Sequence, residues 1–263
     1  MSVSINGSGA ITYNDGSTQS NSQVGMKNRI IDGGFIINQR GYTSGTSLSA
    51  GSYGHDRWKA GSGGGTYTFT QGSLGVNTTV TITAGTLVQV IEGCNLAEGG
   101  TYVLSWTGTA QGRLNGGSYG SSGSVTVTGW TAGTNLNVEF NTGTLGSVQL
   151  EKGSTATSFD YRSYGAELAL CKRYYDQQKS TSLRMYLSNG NDGTDDLFRQ
   201  LSIFFKEEMR AAPTVAFSAT LTGATLNGTS TFATTATSTC LQTQGSDTSH
   251  FAAVTEWTAS AEL

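Results

Sequence analysis

The fold is decided by the stretch VQLEKGSTATSFDYRSYGAELALCKRYY, Val148 to Tyr175. Its first part alternates apolar and polar residues, which is the two-residue period of a half-buried strand. Its second part spaces apolar residues three and four positions apart, as one face of a helix does. That predicted helix face comprises Leu168, Cys171, Tyr174 and Tyr175. The stretch is therefore predicted to be a junction, where the last strand of one β domain leads into a short helix and a second β domain.

Short strands are predicted on the N-terminal side of this junction. GTYTFTQ places Tyr67 and Phe69 on one face, and similar alternation recurs in VTIT, TYVLSWTG, SVTVTGW, NLNVEF and SVQLEKG. LVQVIEG is apolar on both faces, as expected for a central strand. GSGGG at 61–65 lacks the lysine and helix of a phosphate loop and is predicted to be a flexible turn. About eight strands joined by glycine turns predict a jelly-roll β-sandwich over residues 28–163.

The remaining chain divides into three further parts. Residues 1–27 form a polar N-terminal arm, in which Ala10–Tyr13 alternates and an Asn-Asp-Gly turn signal follows. Residues 164–178 form the helical connector. Alternation resumes in residues 179–263, for example at Leu201 and Ile203, which predicts a small C-terminal β domain. The predicted fold class is all-β.

Composition narrows the functional classes. Charged residues make up 13% of the chain, and the net charge of −3 offers no basic patch for nucleic acid. No apolar run approaches the roughly 18 residues of a membrane span, and the first residues lack the features of a signal peptide. Three widely spaced cysteines, Cys94, Cys171 and Cys240, indicate reduced thiols and assembly in a cytoplasm.

Catalytic and metal sites are not predicted. His55 and His250 are the only histidines, and neither lies near a GxSxG nucleophile elbow. Glycosidase chemistry needs two carboxylates close together, and nothing in the sequence pairs the candidates Glu92, Glu98, Glu139 and Glu151. The acidic loop Asn189–Asp196 fails the spacing of an EF-hand, although another kind of calcium site stays open there. No cofactor is predicted.

A sugar-binding patch is the remaining candidate. Tyr119 and Trp130 are expected to be exposed, because one lies in a glycine-rich loop and the other just past a strand. Arg113 and Asn115 lie nearby in the sequence and would read sugar hydroxyls, while the rings would stack on sugar C–H faces. The alternative is loop packing or a subunit contact. Trp106 is in phase with Tyr102 and is expected in the core.

Several segments, in the same order along the chain, resemble the tail-fibre and related virion proteins of tailed bacteriophages. The junction VQLEKGSTATSFDYRSYGAELALCKRYY carries the best match. NRIIDGGFIINQRG followed by YGHDRWKAG resembles the family's opening, and QVIEGCNLAEGGTYVLSWTGTAQGRLNG its middle strands. ITYNDGSTQS and WTASAEL are similar to segments near the two ends. Ser158 and Lys152 stand where the family commonly has proline, and Cys94 where glycine is commoner, which affects turn rigidity.

The resemblance implies a structural virion protein: a carbohydrate-binding-module-like jelly roll followed by a small β domain, usually trimeric. In such proteins the Asp-Arg-Trp of His55–Trp58 is structural, and its carboxylate is expected to pair with the neighbouring guanidinium beside a buried indole. The expected function is host attachment through a surface glycan or receptor without catalysis, with the arm bound to other virion proteins. The alternatives are a purely architectural head fibre or tail connector, and a glycan-depolymerising spike.

Overall fold

The computed structural model describes residues 4–5, 10–12, 18–20, 27–120, 123–187, 197–221, 226–245 and 251–263. Antiparallel β-sheets dominate these ranges, and the sheets are accompanied by a short α-helix. The predicted all-β fold with a short helix and a small C-terminal β region is confirmed. None of the described helices has the length and apolar character that crossing a membrane requires.

The N-terminal arm contributes a small sheet of its own. Its strands are β1 (Ser4–Ile5), β2 (Ala10–Thr12) and β3 (Thr18–Ser20). Strand β2 coincides with the predicted alternating piece and pairs antiparallel with both neighbours. The predicted turn at Asn14–Gly16 lies outside the described residues.

The central part of the chain forms an eight-stranded antiparallel sheet that branches. Its strands are β4 (Ser47–Leu48), β5 (Lys59–Phe69), β6 (Val80–Ile91), β7 (Gly100–Thr107), β8 (Gly112–Leu114), β9 (Ser124–Trp130), β10 (Leu136–Phe140) and β11 (Gly143–Lys152). The first part of β6 pairs with β11, which continues to β7 and β9. The last part of β6 pairs with β10, which continues to β8. The long strand β6 therefore belongs to both branches.

The two branches pack face to face around one aromatic and aliphatic core. Trp106 on β7 lies edge-on to Phe140 on β10, with 5.2 Å between the ring centroids, although these strands are not neighbours in the sheet. Phe140 also contacts Trp58, and all three rings are buried. Contacts between unpaired strands require two layers, as in a β-sandwich. Trp106 thus occupies the predicted core position.

Two glycine-containing stretches differ from their predicted structure. GSGGG at 61–65 is not a flexible turn: it lies within β5, which pairs with β6 across a register shift between Ala60 and Gly65. Ala60 pairs with Leu87 and Gly65 pairs with Gly85, so residues 61–64 form an irregular, bulged part of the strand. Gly64 has φ 78°, and a Cβ on Gly61 would clash with the Thr86 hydroxyl oxygen, so both positions favour glycine. VTIT and LVQVIEG, predicted as separate strands, form the single strand β6, in which Gly85 has φ 68°.

Helix α1 (Tyr164–Lys172) begins and ends within the predicted connector. Ser163 is its N-cap, and the Ser163 hydroxyl accepts a hydrogen bond from the backbone N–H of Ala166. The helix stops earlier than predicted, because Tyr175 pairs with Ser260 and begins the next strand. Tyr175 is therefore not part of a helix face, and the connector's residues 175–178 are strand.

The C-terminal part is a six-stranded antiparallel sheet with its own smaller core. Its strands are β12 (Tyr175–Leu187), β13 (Leu197–Phe204), β14 (Thr214–Leu221), β15 (Leu226–Phe232), β16 (Ser238–Gly245) and β17 (Phe251–Ser260). Strands β12 and β17 are neighbouring inner strands of this sheet, and their pairing shifts register once, between Lys179 and Leu183. Trp257, Val254 and Leu241 lie in the buried core of this sheet.

Candidate functional site

The predicted sugar patch lies where β8 pairs with β10. Their register sets Arg113 opposite Glu139, between the pairs Gly112–Phe140 and Leu114–Val138. Leu114, Val138 and Phe140 are buried in the core. Because side chains alternate along a strand, Arg113 and Glu139 lie on the outer side of the sandwich.

Arg113, Glu139 and Tyr119 form one hydrogen-bonded group. The Arg113 Nε donates to Glu139 Oε2 at 3.1 Å, and Nη2 donates to Oε1 at 2.9 Å. The Tyr119 hydroxyl donates to the same Oε1 at 2.9 Å, and the guanidinium carbon lies 4.5 Å from the centroid of the Tyr119 ring. The hydrogen bonds to Glu139 raise the pKa of Arg113. Burial, followed by the bond to Glu139, raises the pKa of Tyr119.

Amide side chains flank this group on both sides. Asn141 Nδ2 donates to Gln111 Oε1 at 2.9 Å, two positions along the strands from Arg113 and Glu139. On the other side the backbone N–H of Asn115 donates to the carbonyl of Asn137 at 2.8 Å, and both side chains are exposed. We define the β8–β10 face as the outward side chains of Gln111, Arg113, Asn115, Asn137, Glu139 and Asn141.

Strand β6 extends this face with apolar residues. Val88 pairs with Glu139 and Val90 pairs with Asn137, and both valines are half-buried. Lys59 on β5 pairs with Val88 on the far side, and its ammonium donates to the carbonyl of Leu263. The polar β8–β10 face is therefore bordered by a narrow apolar strip.

Trp130 does not join this group. It pairs with Gly100 at the end of β9, and its indole N–H donates to the Thr134 carbonyl at 3.2 Å. Gly120 lies against Val125 near the start of the same strand. Five residues of strand, about 17 Å, thus separate Trp130 from the neighbourhood of Tyr119. Both rings, which were expected to be exposed, are half-buried.

The His55–Trp58 motif is a buried structural element at the junction with the C-terminal sheet. Trp58 is fully buried and donates its indole N–H to the Asp32 carbonyl at 2.9 Å. The expected Asp56–Arg57 pair is absent from these contacts: Asp56 pairs with Arg40 at 3.3 Å, whereas Arg57 pairs with Glu262. Arg57 has φ 69°, a left-handed backbone conformation that is uncommon for residues other than glycine, and its side chain lies against Glu262 of the C-terminal segment.

Burial shifts the titration of two residues in this motif in ways that suit a structural role. Burial lowers the pKa of His55 to about 4, so the ring is neutral near pH 7. Its Nδ1 lies 3.0 Å from the Tyr67 hydroxyl, and its Nε2 lies 3.4 Å from Gln71 Oε1. Burial raises the pKa of Asp56 to about 6, and the nearby Arg40 guanidinium opposes that shift.

An open cleft of about 510 Å³ lies between the 36–44 segment and helix α1. Tyr42, Phe69 and Tyr164 contribute aromatic walls. Its amides already bond within the chain: Asn38 Nδ2 donates to the Tyr42 carbonyl at 2.9 Å, and Gln71 Nε2 to the Thr78 hydroxyl at 3.3 Å. The cleft therefore presents fewer unpartnered polar groups to a ligand than the β8–β10 face does.

Three of the four carboxylates considered for glycosidase chemistry have separate partners, and the fourth, Glu98, is exposed. Glu92 accepts from the Tyr174 hydroxyl at 2.8 Å, Glu151 accepts from Thr157, and Glu139 accepts from Arg113. Within the described ranges no group of three or more His, Cys, Asp or Glu side chains is arranged to hold a metal ion. The Asn189–Asp196 loop and His250 lie outside those ranges.

Three members of the β8–β10 face were missed as sugar-site residues by the sequence analysis: Gln111, Asn137 and Asn141. Glu139 was considered only as a catalytic carboxylate. The signal was present, because NLNVEFN places Asn137, Glu139 and Asn141 on the polar side of one strand. What was lacking was the pairing of β10 with β8.

No protein-family model, curated protein or solved structure matches this chain. The resemblance to phage fibre proteins thus stays a prediction.

Proposed function

We propose that this chain is a non-catalytic structural component of a tailed-bacteriophage fibre or spike, which attaches the virion to host-surface glycans through the β8–β10 face. The observation that carries the proposal is the row of amide and paired charged side chains on the outer side of a β-sandwich. Amides and a carboxylate–guanidinium pair offer both donors and acceptors, which is what sugar hydroxyls require.

Trimer formation would raise the effective affinity of such a site for a glycan-covered surface. A shallow face with few anchors binds one glycan weakly, but three copies on one fibre raise the effective affinity by keeping neighbouring sites close to the same surface. Light scattering of the purified chain is expected to give three times the 27.4 kDa chain mass. A monomer at micromolar concentration contradicts the trimer. In the proposed particle the N-terminal arm binds other virion proteins.

A purely architectural role, as a head fibre or tail connector, is the second candidate. It is favoured by the Arg113–Glu139 contact itself, because each group already satisfies much of the other's hydrogen-bonding capacity. A surface ion pair of this kind needs no ligand.

Cell binding separates the two candidates. The labelled full chain is incubated with a panel of bacterial strains, and retention is measured by flow cytometry. Attachment predicts retention on a subset of strains, a strong loss for Arg113→Ala, and none for Arg173→Ala. Arg173 is the matched control because its side chain is similarly accessible, at 39% against 29%, and lies 4.0 Å from Glu92. Retention on no strain supports the architectural role, and release of reducing sugar from host polysaccharide contradicts both.

A further inference from the structure

We infer that the β8–β10 face selects uncharged glycans that present two adjacent hydroxyl groups, and that it discriminates against acidic sugars. The inference rests on the proposed attachment function and adds the ligand's chemical class. It follows from the charge balance of the face, from the positions left open on the Arg113–Glu139 pair, and from the flanking amides.

The charges on this face cancel. Arg113 and Glu139 are the only ionisable side chains in residues 111–115 and 137–141, and they lie 2.9 Å apart. An acidic sugar needs an unpaired cation, so it would have to displace Glu139 from Arg113 and approach a carboxylate of its own sign. Separating that pair forfeits a two-point, charge-assisted hydrogen bond. A neutral ligand has neither obstacle.

The pair keeps one acceptor position and one donor group on its solvent side. Three donor groups bond Glu139: Arg113 Nε donates to Oε2, the Tyr119 hydroxyl donates to Oε1, and Arg113 Nη2 lies 2.9 Å from both oxygens and is shared between them. A carboxylate has about four acceptor positions, so these three donors leave room for one more. The bonds that Arg113 makes to described residues use Nε and Nη2, and its Nη1 takes no part in them. One sugar hydroxyl can donate to Glu139 while the adjacent hydroxyl accepts from Arg113 Nη1.

The surrounding side chains fit the same ligand. Asn115 and Asn137 are exposed amides, each able to donate and accept, and Val88 and Val90 border them with half-buried apolar surface. A sugar ring carries hydroxyls at its rim and C–H groups on its faces. This face therefore offers polar contacts for the rim and a small apolar contact for the C–H groups.

The decisive variant is Glu139→Gln, because it changes charge with little change of shape. If the site takes neutral sugars, the variant loses one acceptor oxygen and leaves the positive charge of Arg113 without a counter-charge. Affinity for neutral glycans then falls by about 10-fold, the effect of one lost charge-assisted hydrogen bond, and acidic glycans gain affinity. If the site instead takes acidic sugars through Arg113, the unaltered chain already binds acidic glycans. The variant then binds them more tightly. Glu98→Gln, at an exposed position outside the face, is the matched control.

The test measures binding of the full chain to an array of neutral and acidic glycans, before and after periodate treatment, which cleaves the bond between carbons that bear adjacent hydroxyls. We expect neutral glycans alone to bind, periodate to abolish binding, and Glu139→Gln but not Glu98→Gln to weaken it. Thermal unfolding checks that each variant is folded.

Three results overturn the inference: preferential binding of acidic glycans, binding that survives periodate, or binding that Glu139→Gln leaves unchanged. In each of them glycan attachment itself stands. If the array shows no binding, the inference fails, and strain-dependent retention in the cell assay decides separately whether the attachment function survives.

Discussion

The Arg57–Glu262 pair and the Arg113–Glu139 pair have the same chemistry and different surroundings. The side chains of Arg57 and Glu262 are 1% and 7% exposed, and those of Arg113 and Glu139 are 29% and 19% exposed. Arg57 also donates to the Val90 carbonyl at 2.7 Å and lies 3.6 Å from the centroid of the Tyr174 ring. The buried pair joins the sandwich to the end of the C-terminal sheet, whereas the outer pair lies on a surface that water and ligands reach. Burial, rather than residue type, separates a structural ion pair from a candidate binding pair.

Removing one carboxylate from each pair is expected to have the largest effect on stability. Glu262→Ala leaves the buried Arg57 without its partner, and we expect the free energy of unfolding to fall by about 3–5 kcal/mol. Glu139→Ala is the matched control, for which a loss below about 1 kcal/mol is expected, because water replaces the missing carboxylate. Chemical denaturation measures both. Equal losses of unfolding free energy in the two variants would contradict the conclusion that burial distinguishes the two pairs.

The second prediction concerns the acid sensitivity of the buried junction. Burial lowers the pKa of His55 to about 4, below its usual 6.5. As the pH falls below 6.5 the unfolded chain takes up a proton before the folded chain does, so stability is lost between pH 6.5 and about 4. The full loss is about 3 kcal/mol from this residue.

The nearby Asp56 acts in the opposite direction, so a variant must isolate the histidine. Burial raises the pKa of Asp56 to about 6, and its contribution to stability is lost as the pH rises toward that value. We expect the stability advantage of the unaltered chain over His55→Gln to shrink as the pH falls from 7 to 4. Urea midpoints measured across this range test it, and parallel pH curves contradict it.

The third prediction concerns the interaction energy of the outer pair. In a double-mutant cycle, Arg113→Ala and Glu139→Ala are expected to show a coupling energy below about 1 kcal/mol that falls further in high salt. The small value reflects competition from water for both groups. A coupling energy of several kcal/mol that is insensitive to salt would place this pair with the buried one.

The smallest effect is expected at Asn115, which has φ 48° in the turn after β8. Asn115→Gly removes an exposed amide and relieves a backbone conformation that glycine adopts freely, so stability should change by only a few tenths of a kcal/mol. Glycan binding should nevertheless weaken, because the face loses a donor and an acceptor. A large loss of stability would show that the side chain supports the turn.

Local sequence patterns predicted much of this fold. They failed where strand pairing between residues far apart in the sequence determines the local structure. The strands around Tyr67, Trp106 and Val127 follow from alternation, because burying one face of a sheet needs only a period of two. GSGGG was predicted wrongly because its glycines favour a turn in isolation, whereas the pairing of Ala60 and Gly65 with β6 makes the stretch a bulged part of β5. The helix ended early for a related reason, since Tyr175 pairs with Ser260, 85 positions along the chain.

The candidate site was predicted in part. Arg113, Asn115 and Tyr119 were selected for their residue types within one short stretch, and the structure brings them to one region. Trp130 was grouped with them as well, but it lies at the far end of β9, about 17 Å of strand from the neighbourhood of Tyr119. The contact between Arg113 and Glu139 spans 26 positions and depends on the register of two strands.

Residue order alone specifies which side chains alternate, where glycine permits a turn, and that a helix begins after Ser163, because each of these depends on neighbours within a few positions. Pairing along β6, β8 and β10 and the docking of Glu262 on Arg57, 205 positions away, arise when the chain closes on itself. Folding therefore buries the Arg57–Glu262 pair at the junction and leaves the Arg113–Glu139 pair accessible to water and to a ligand.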